Sequence, residues 1–468
     1  MLKKIQIKNF KGWKDTGPIK MAPITLFFGA NSSGKSSIGQ FLMMLKQTAE
    51  SQDRKVVFYP GSINSAVQLG SYREMIYQRN LENKIEFEYE WTLSPEIKFK
   101  DSLSGKNYQA NNIDFKAKIT TEDIHSQKVV VESIKYSLSK DNEQLLSVAM
   151  ERNEGKKHQY RVDATKYSLK RNPGRVWYPG APVRFYGFPD EVVAYYQNAE
   201  FVQQLNLQHE NLFKSLYYLG PLRTKTDRLY SWSGLTPASV GYSGENTVAA
   251  ILASSGRKIS TGYRKTNKPL EQIIAESLKR MGLIEEFKVQ AISEQRQDYE
   301  VKLCTKGSKD WVDLPDVGFG ISQVLPVLVQ CFYAPANSII IMEQPEIHLH
   351  PNAQSALADV MIDVINSREN GKDRNIQLII ETHSEHFLRR LQRRIAEDVV
   401  PQKKVSAYFA NVSRTPAILE PLEIDIFGNI QNWPENFFGD EMGDITAQSK
   451  AAIKKRMKQK SQNTEVSE

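Results

Sequence analysis

"PITLFFGANSSGKSSIGQFLMMLKQ", residues 23–47, decides the fold. An apolar run enters a glycine-bounded loop, and the loop opens a segment with Ile38, Phe41, Leu42 and Leu45 at helical spacing. Buried strand, loop and amphipathic helix form the context in which the pattern G-x-x-x-x-G-K-[ST] carries meaning. Gly29 and Gly34 allow the loop to curl, so that backbone N–H groups along Asn31, Ser32 and Ser33 surround phosphate oxygens at the positive end of the helix. Lys35 is expected to reach the β- and γ-phosphates and the Ser36 hydroxyl to ligate magnesium, with Ser37 closing the loop. ATP and Mg2+ are the expected ligands.

A phosphate loop alone does not say what is done with the nucleotide. Farther along, "IIIMEQPEIHLHP" (339–351) is an apolar strand that delivers Glu343, a carboxylate suited to hold magnesium directly or through water. "LIIETHSEHF" (378–387) is a second apolar strand, leading to His383, which can donate to a γ-phosphate and sense its loss. Between loop and acid stands "DVGFGISQVLPVL" (316–328), whose glycines and Ser322 begin an apolar helix and so present N–H groups and a hydroxyl. Each feature alone also fits a buried acid, a helix-capping histidine or a glycine loop. Their order after the phosphate loop favours one site.

The chain sets further bounds. Its 468 residues suffice for two or three sub-domains. No apolar run of about 18 residues appears, and "MLKKIQIKNF" has no signal-like stretch, so a cytoplasmic protein without membrane contact is expected. Cys304 and Cys331 lie far apart, which excludes a cysteine-rich zinc module. The net charge of +8 is modest for this length, and the runs "LRRLQRRI" (388–395) and "KKRMKQK" (454–460) read as a solvated helix face and a basic tail. The stretches "KIEFEYEWTL", "IDFKAKIT" and "KVVVESIKYSLS" alternate apolar and polar residues, as antiparallel strands with one wet face do. The expected fold is α/β: an ATPase head split around an antiparallel β insert, with a helical sub-domain and no long coiled coil. The expected divisions are 1–80 for the phosphate-loop part of the head and 81–215 for the insert. The helical/β sub-domain follows at 216–310, the second part of the head at 311–440 and a flexible tail at 441–468.

In order and wording, "IQIKNFKGW", "ITLFFGANSSGKSS", "YLGPLRT", "VGYSGENTVAAILA", "DVGFGISQVLPVL", "IMEQPEIHLHP", "IIETHSEHF" and "NWPENFFGDEM" resemble the ABC-type ATPase heads of the OLD and SMC-like superfamily. Within it they resemble AAA-type ATPases of bacterial anti-phage systems such as Septu and PARIS. The resemblance implies a head-to-tail dimer, or an assembly of dimers, that sandwiches ATP. It places Ser322 on the partner subunit's γ-phosphate, makes His383 the switch histidine, and puts the water-activating residue directly after Glu343. That residue is Gln344 where a hydrolysing head has glutamate, and Glu346 is the nearest carboxylate that could stand in. Gln68, in "VQLGSY", is the candidate for the metal-contacting glutamine loop.

Three other constellations invite function. Glu346, His348 and His350 could be drawn as a metal site, although the resemblance places them in a loop near the subunit interface. Glu423 and Asp425 suggest a nuclease, yet too little chain follows His383 for a Toprim domain. Phe10 and Trp13 could stack on adenine, and a packed strand end explains them equally. The sequence therefore reads as a slow ATPase that scaffolds or senses within an anti-phage complex and controls a separate HNH or Toprim nuclease. The alternative is an SMC-like repair ATPase that grips duplex DNA itself.

Overall fold

The computed structural model describes residues 1–123, 128–153, 159–293, 296–305, 307–308, 310–411, 416–434, 437 and 441–465. Part of "NWPENFFGDEM", residues 435–436 and 438–440, lies outside them.

The apolar runs that carry the motifs become neighbours in a six-stranded sheet. Its order is Leu216–Leu219, Ile339–Glu343, Gln377–Glu381, Ile24–Gly29, Val405–Asn411 and Ile418–Pro421. The first five strands are parallel and the last is an antiparallel edge. Both faces are covered, which is why these strands read as continuous apolar runs. Ile339, Ile341 and Ile379 pack into one core while Ile340, Met342, Leu378 and Ile380 pack into the other. Parallel strands end on one edge, and that edge gathers the phosphate loop, Glu343 and Glu381. The strand of Glu381 stands between the strand of Glu343 and the strand of the phosphate loop.

The alternating stretches form the expected antiparallel sheet, running from Ile85–Lys100 through Asn107–Thr121, Val129–Lys140 and Glu143–Arg152 to Tyr160–Thr165. Leu2–Phe10 joins its edge by pairing with Ile85–Lys100. The boundary expected at residues 80 and 81 thus cuts through one sheet, because the first strand pairs with a segment far along the chain. One face of this sheet covers the phosphate-loop helix Lys35–Glu50, with Phe41 seated edge-on between Phe10 at 5.0 Å and Phe87 at 5.1 Å. The opposite face carries charge pairs such as Lys116–Glu88 and Lys118–Glu86. Helix Phe201–Lys214 closes this core with a fully buried His209, whose Nδ1 pairs with the Tyr136 hydroxyl at 2.8 Å. Burial holds that imidazole neutral.

Within 216–310, where a helical/β sub-domain is expected, the longer helices are Thr247–Ala253 and Leu270–Arg280. The basic C-terminal segment is a helix, Glu441–Glu465, and among the described residues there is no coiled-coil arm. The arginine run lies on helix Glu385–Ala396, where Arg390 and Arg394 pair with Asp359, Arg389 with Glu385, and Arg393 with Glu397. Both cysteines are buried and free. Among the described residues no helix is long and apolar enough to cross a membrane.

Candidate active site

The phosphate loop is held by backbone geometry that only some residues tolerate. Gly29 has φ of 143° and packs so closely on the neighbouring strand that a Cβ would meet the Ala410 carbonyl oxygen at 2.7 Å. Gly34 has φ of 90° and caps the helix, and a Cβ there would press within 3.2 Å of the Trp13 ring. Trp13 is fully buried and donates Nε1 to the Gly34 carbonyl at 3.1 Å and to Ser37 Oγ at 2.9 Å. It supports the loop from below and is not an adenine platform. Phe10 is likewise fully buried, so the packed reading of both aromatics holds.

Above the loop lies a cavity of about 620 Å³, within the range of roughly 300–1,000 Å³ typical of small-molecule sites. Asn31, Ser32, Ser33, Gly34, Lys35, Ser36 and Ser37 line one side, and Gln344, Glu381 and His383 the other, with Lys11 and Gln40 at the margin. Lys35 Nζ donates to the carbonyls of Gly29 at 3.0 Å and Ala30 at 2.7 Å and lies 3.9 Å from Glu381 Oε1. Burial lowers the Lys35 ammonium, and Glu381 works against that shift. Ser37 Oγ is spent on the Gly34 carbonyl, which leaves Ser36 as the hydroxyl available for a metal.

Glu343 is buried and accepts from the Tyr218 hydroxyl at 2.7 Å, while Arg223 Nη2 donates to its backbone carbonyl at 3.1 Å. Burial pushes this carboxyl up to about 7 against the pull of the Tyr218 bond. Glu381 pairs with Glu343 across the parallel strands, and burial raises it too, against Ser36 and Lys35. Two carboxylates, one with an oxygen that is buried and unpartnered, beside a serine hydroxyl are a donor set that fits a hard divalent cation.

Gln344 occupies the left-handed region with φ of 46°, fixed by its N–H on the Glu381 carbonyl at 2.8 Å and by its carbonyl accepting from Ile347 at 3.1 Å. This turn decides where the next acid points. Glu346 is buried, and its Oε1 accepts from Thr382 Oγ1 at 2.7 Å and from the His383 N–H at 2.8 Å. These bonds turn it away from an attacking water and correct the catalytic expectation for Glu346: here it positions the segment that carries His383. Burial, with Lys35 adding to it, lowers the His383 imidazole, so the ring is neutral near pH 7. Glu346→Ala should leave two donors without an acceptor, at about 1–3 kcal/mol each. We expect lower unfolding stability and turnover with nucleotide affinity retained, read by denaturant titration and steady-state kinetics.

One further expectation comes out differently. Gln68 is exposed and donates Nε2 to the Ile63 carbonyl at 2.9 Å; Val67 and Leu69 take the buried positions, and extended-chain alternation turns Gln68 away from the site. It is not a metal contact here. Ser322 lies outside the cavity, in the first turn of helix Phe319–Tyr333, donating to the Phe319 carbonyl at 2.7 Å and facing a small cleft shared with Thr224 and Glu245. The other constellations disperse. His348 is exposed over the Phe319 ring, His350 caps helix Pro351–Ile365, and Glu346 points elsewhere. Asp425 is spent on its own turn, accepting from Phe427, Asn429 and Gln431, and Glu423 is exposed outside the cavity. Among the described residues no three His, Cys, Asp or Glu side chains gather to hold a metal by themselves. Glu381, Lys11, Tyr218 and Arg223 are the members that sequence reasoning missed; each lies inside a quoted motif, and none is marked there as a site residue.

The AAA ATPase domain family matches residues 1–177, and the family described as AAA domain, putative AbiEii toxin, Type IV TA system matches residues 192–389. The first contains the phosphate loop and the second contains Gln344, Glu381 and His383, so each contributes one wall of the cavity. This chain is an ATPase. A family described as Protein of unknown function (DUF3696) matches residues 400–448 of the ATPase. A Helicobacter pylori protein called ATP/GTP phosphatase is 24% identical over 425 residues, covering 86% of this chain and 91% of that one. Similar solved structures include an SMC head bound to the C-winged helix domain of ScpA, at 10% identity over 91% of this chain and 98% of that chain, TM-score 0.43. The SMC head domain from Thermotoga maritima is 10% identical over 90% of this chain and 99% of that chain, TM-score 0.38.

Proposed function

We propose that the ATPase is a slow nucleotide switch whose occupancy sets the shape of a bacterial anti-phage complex and so controls a separate nuclease, of HNH or Toprim type. The observation that carries this reading is the wall of the cavity where an attacking water would be activated. It presents the amide of Gln344, while the nearest downstream acid, Glu346, is committed to Thr382 and His383. Such a site can bind and hold a triphosphate better than it can deprotonate water. The backbone N–H groups of the loop and Lys35 would bind the phosphates, Gln344 would orient the water, and neutral His383 would donate a hydrogen bond to the γ-phosphate. Ser36 and Glu343 would hold Mg2+, which when bound neutralises charge on the phosphate oxygens.

Closure in trans supports a switch. Ser322 and its helix start lie apart from the chain's own cavity, as they would if they served a second subunit's nucleotide. Mixing a Lys35→Ala subunit with a Ser322→Ala subunit should restore one competent site in each heterodimer, because the heterodimer holds one site with both defects and one with neither. Turnover measured under verified subunit exchange checks this; no recovery would count against head-to-tail geometry. Gripping of DNA by the isolated chain has less support, since the arginines of helix Glu385–Ala396 are ion-paired. Strongly salt-dependent duplex binding by the purified chain would reverse that preference.

A further inference from the structure

We propose that Glu381 is the second metal-side carboxylate of this site, supplied from the neighbouring strand while the residue following Glu343 is an amide. The inference rests on reading the cavity as a divalent metal–ATP site. Four observations converge on it. Glu381 ends the strand that lies between the strand of Glu343 and the strand of the phosphate loop, in register with Glu343 on one side and with Phe27 on the other. It is the carboxylate that lines the nucleotide cavity, whereas Glu343 and Glu346 both lie behind the lining. It is 9% exposed, and its Oε2 is buried without a hydrogen-bond partner. Its neighbours are Lys35 and Ser36, the two residues that open the phosphate-loop helix.

A simpler role would be to neutralise Lys35. That leaves much unexplained. At 3.9 Å the pair is longer than a hydrogen bond, and Lys35 Nζ already donates to the carbonyls of Gly29 and Ala30. A buried carboxylate with one oxygen unspent is costly unless something completes it. Magnesium in nucleotide sites takes one or two protein carboxylates together with substrate phosphates. Glu343, Glu381 and the Ser36 hydroxyl match that share. With only two carboxylates, the cation should bind together with nucleotide and not by itself.

The test compares the affinity for AMP-PNP with Mn2+ and with EDTA, in wild type, Glu381→Gln, Glu381→Asp and Glu343→Gln. The ratio of the two affinities reports metal binding independently of turnover. We expect Glu381→Gln to lose about tenfold or more of the ratio, as Glu343→Gln does, and Glu381→Asp to keep part of it. Metal-free affinity in Glu381→Gln should be equal or tighter, because a negative charge leaves the surroundings of the polyphosphate. A wild-type ratio in Glu381→Gln, with the ratio lost in Glu343→Gln, overturns the assignment and leaves Glu381 as a partner of Lys35 alone. Should Glu381→Gln lose metal-free binding as well, Glu381→Asp decides: a lowered ratio supports the assignment and an unchanged one overturns it. Failure of wild type to bind AMP-PNP under either condition would instead remove the ATP reading on which the assignment stands.

Discussion

Lys35→Ala should abolish productive closure on ATP, with kcat/KM falling roughly 10²–10³-fold, the loss typical when one preorganised donor to developing charge is removed. The triphosphate is dense in charge, and the backbone cradle supplies only partial positive charges, so the ammonium carries a share that nothing else replaces. The structure adds a second reason. Lys35 is 4% exposed, braces the loop through the carbonyls of Gly29 and Ala30, and faces Glu381. Its removal leaves those acceptors unfilled and an acid facing the phosphates with no cation beside it. Lys35→Arg should not rescue, because a planar guanidinium fork replaces a compact ammonium and its hydrogen-bonding geometry differs. Unchanged ATP affinity and turnover in Lys35→Ala would sink the phosphate-loop assignment.

What the sequence made legible depends on the range over which each signal acts. The phosphate loop was readable because strand, glycines, lysine and helix are consecutive, and Gly29 and Gly34 adopt positive φ values that suit a curled loop. Glu343 and His383 were readable because each follows an apolar run that must be a strand. Register between strands is a different matter. That Glu381 stands level with Glu343 depends on which strands are neighbours, and this information lies in no single segment. The same limit applies to Leu2–Phe10, whose partner strand begins at Ile85. Glu346 was misplaced for a local reason: the left-handed turn at Gln344 sends the following acid inward to Thr382, and proximity in sequence gave the wrong direction. Gln68 failed through alternation, since a glutamine between two buried residues of an extended segment faces outward.

The wild-type ATPase should hydrolyse slowly, and Gln344→Glu should raise its single-turnover rate by about 10²-fold, the lower part of the 10²–10⁴ range attributed to a good general base. An amide can orient water through a hydrogen bond but cannot usefully accept its proton. The position is right for the gain, because Gln344 lines the cavity and its backbone is pinned to Glu381, so the substituted carboxylate would be presented on the same turn. The lower part of the range is expected because the new acid would join Glu343 and Glu381, and like charges at close quarters disfavour one another's ionised forms. Bound magnesium and Lys35 offset part of that repulsion. Glu346→Gln is the discriminating control. It keeps an oxygen to accept from Thr382 and His383, so if Glu346 only positions that segment, hydrolysis should fall by no more than a few-fold, as for exchange of one hydrogen-bond acceptor of about 1 kcal/mol. A wild-type rate of many per second, insensitive to Gln344→Glu yet lost in Glu346→Gln, would show that the buried acid swings into the cavity during turnover. The ATPase would then not be the holding switch that its Gln344 wall implies.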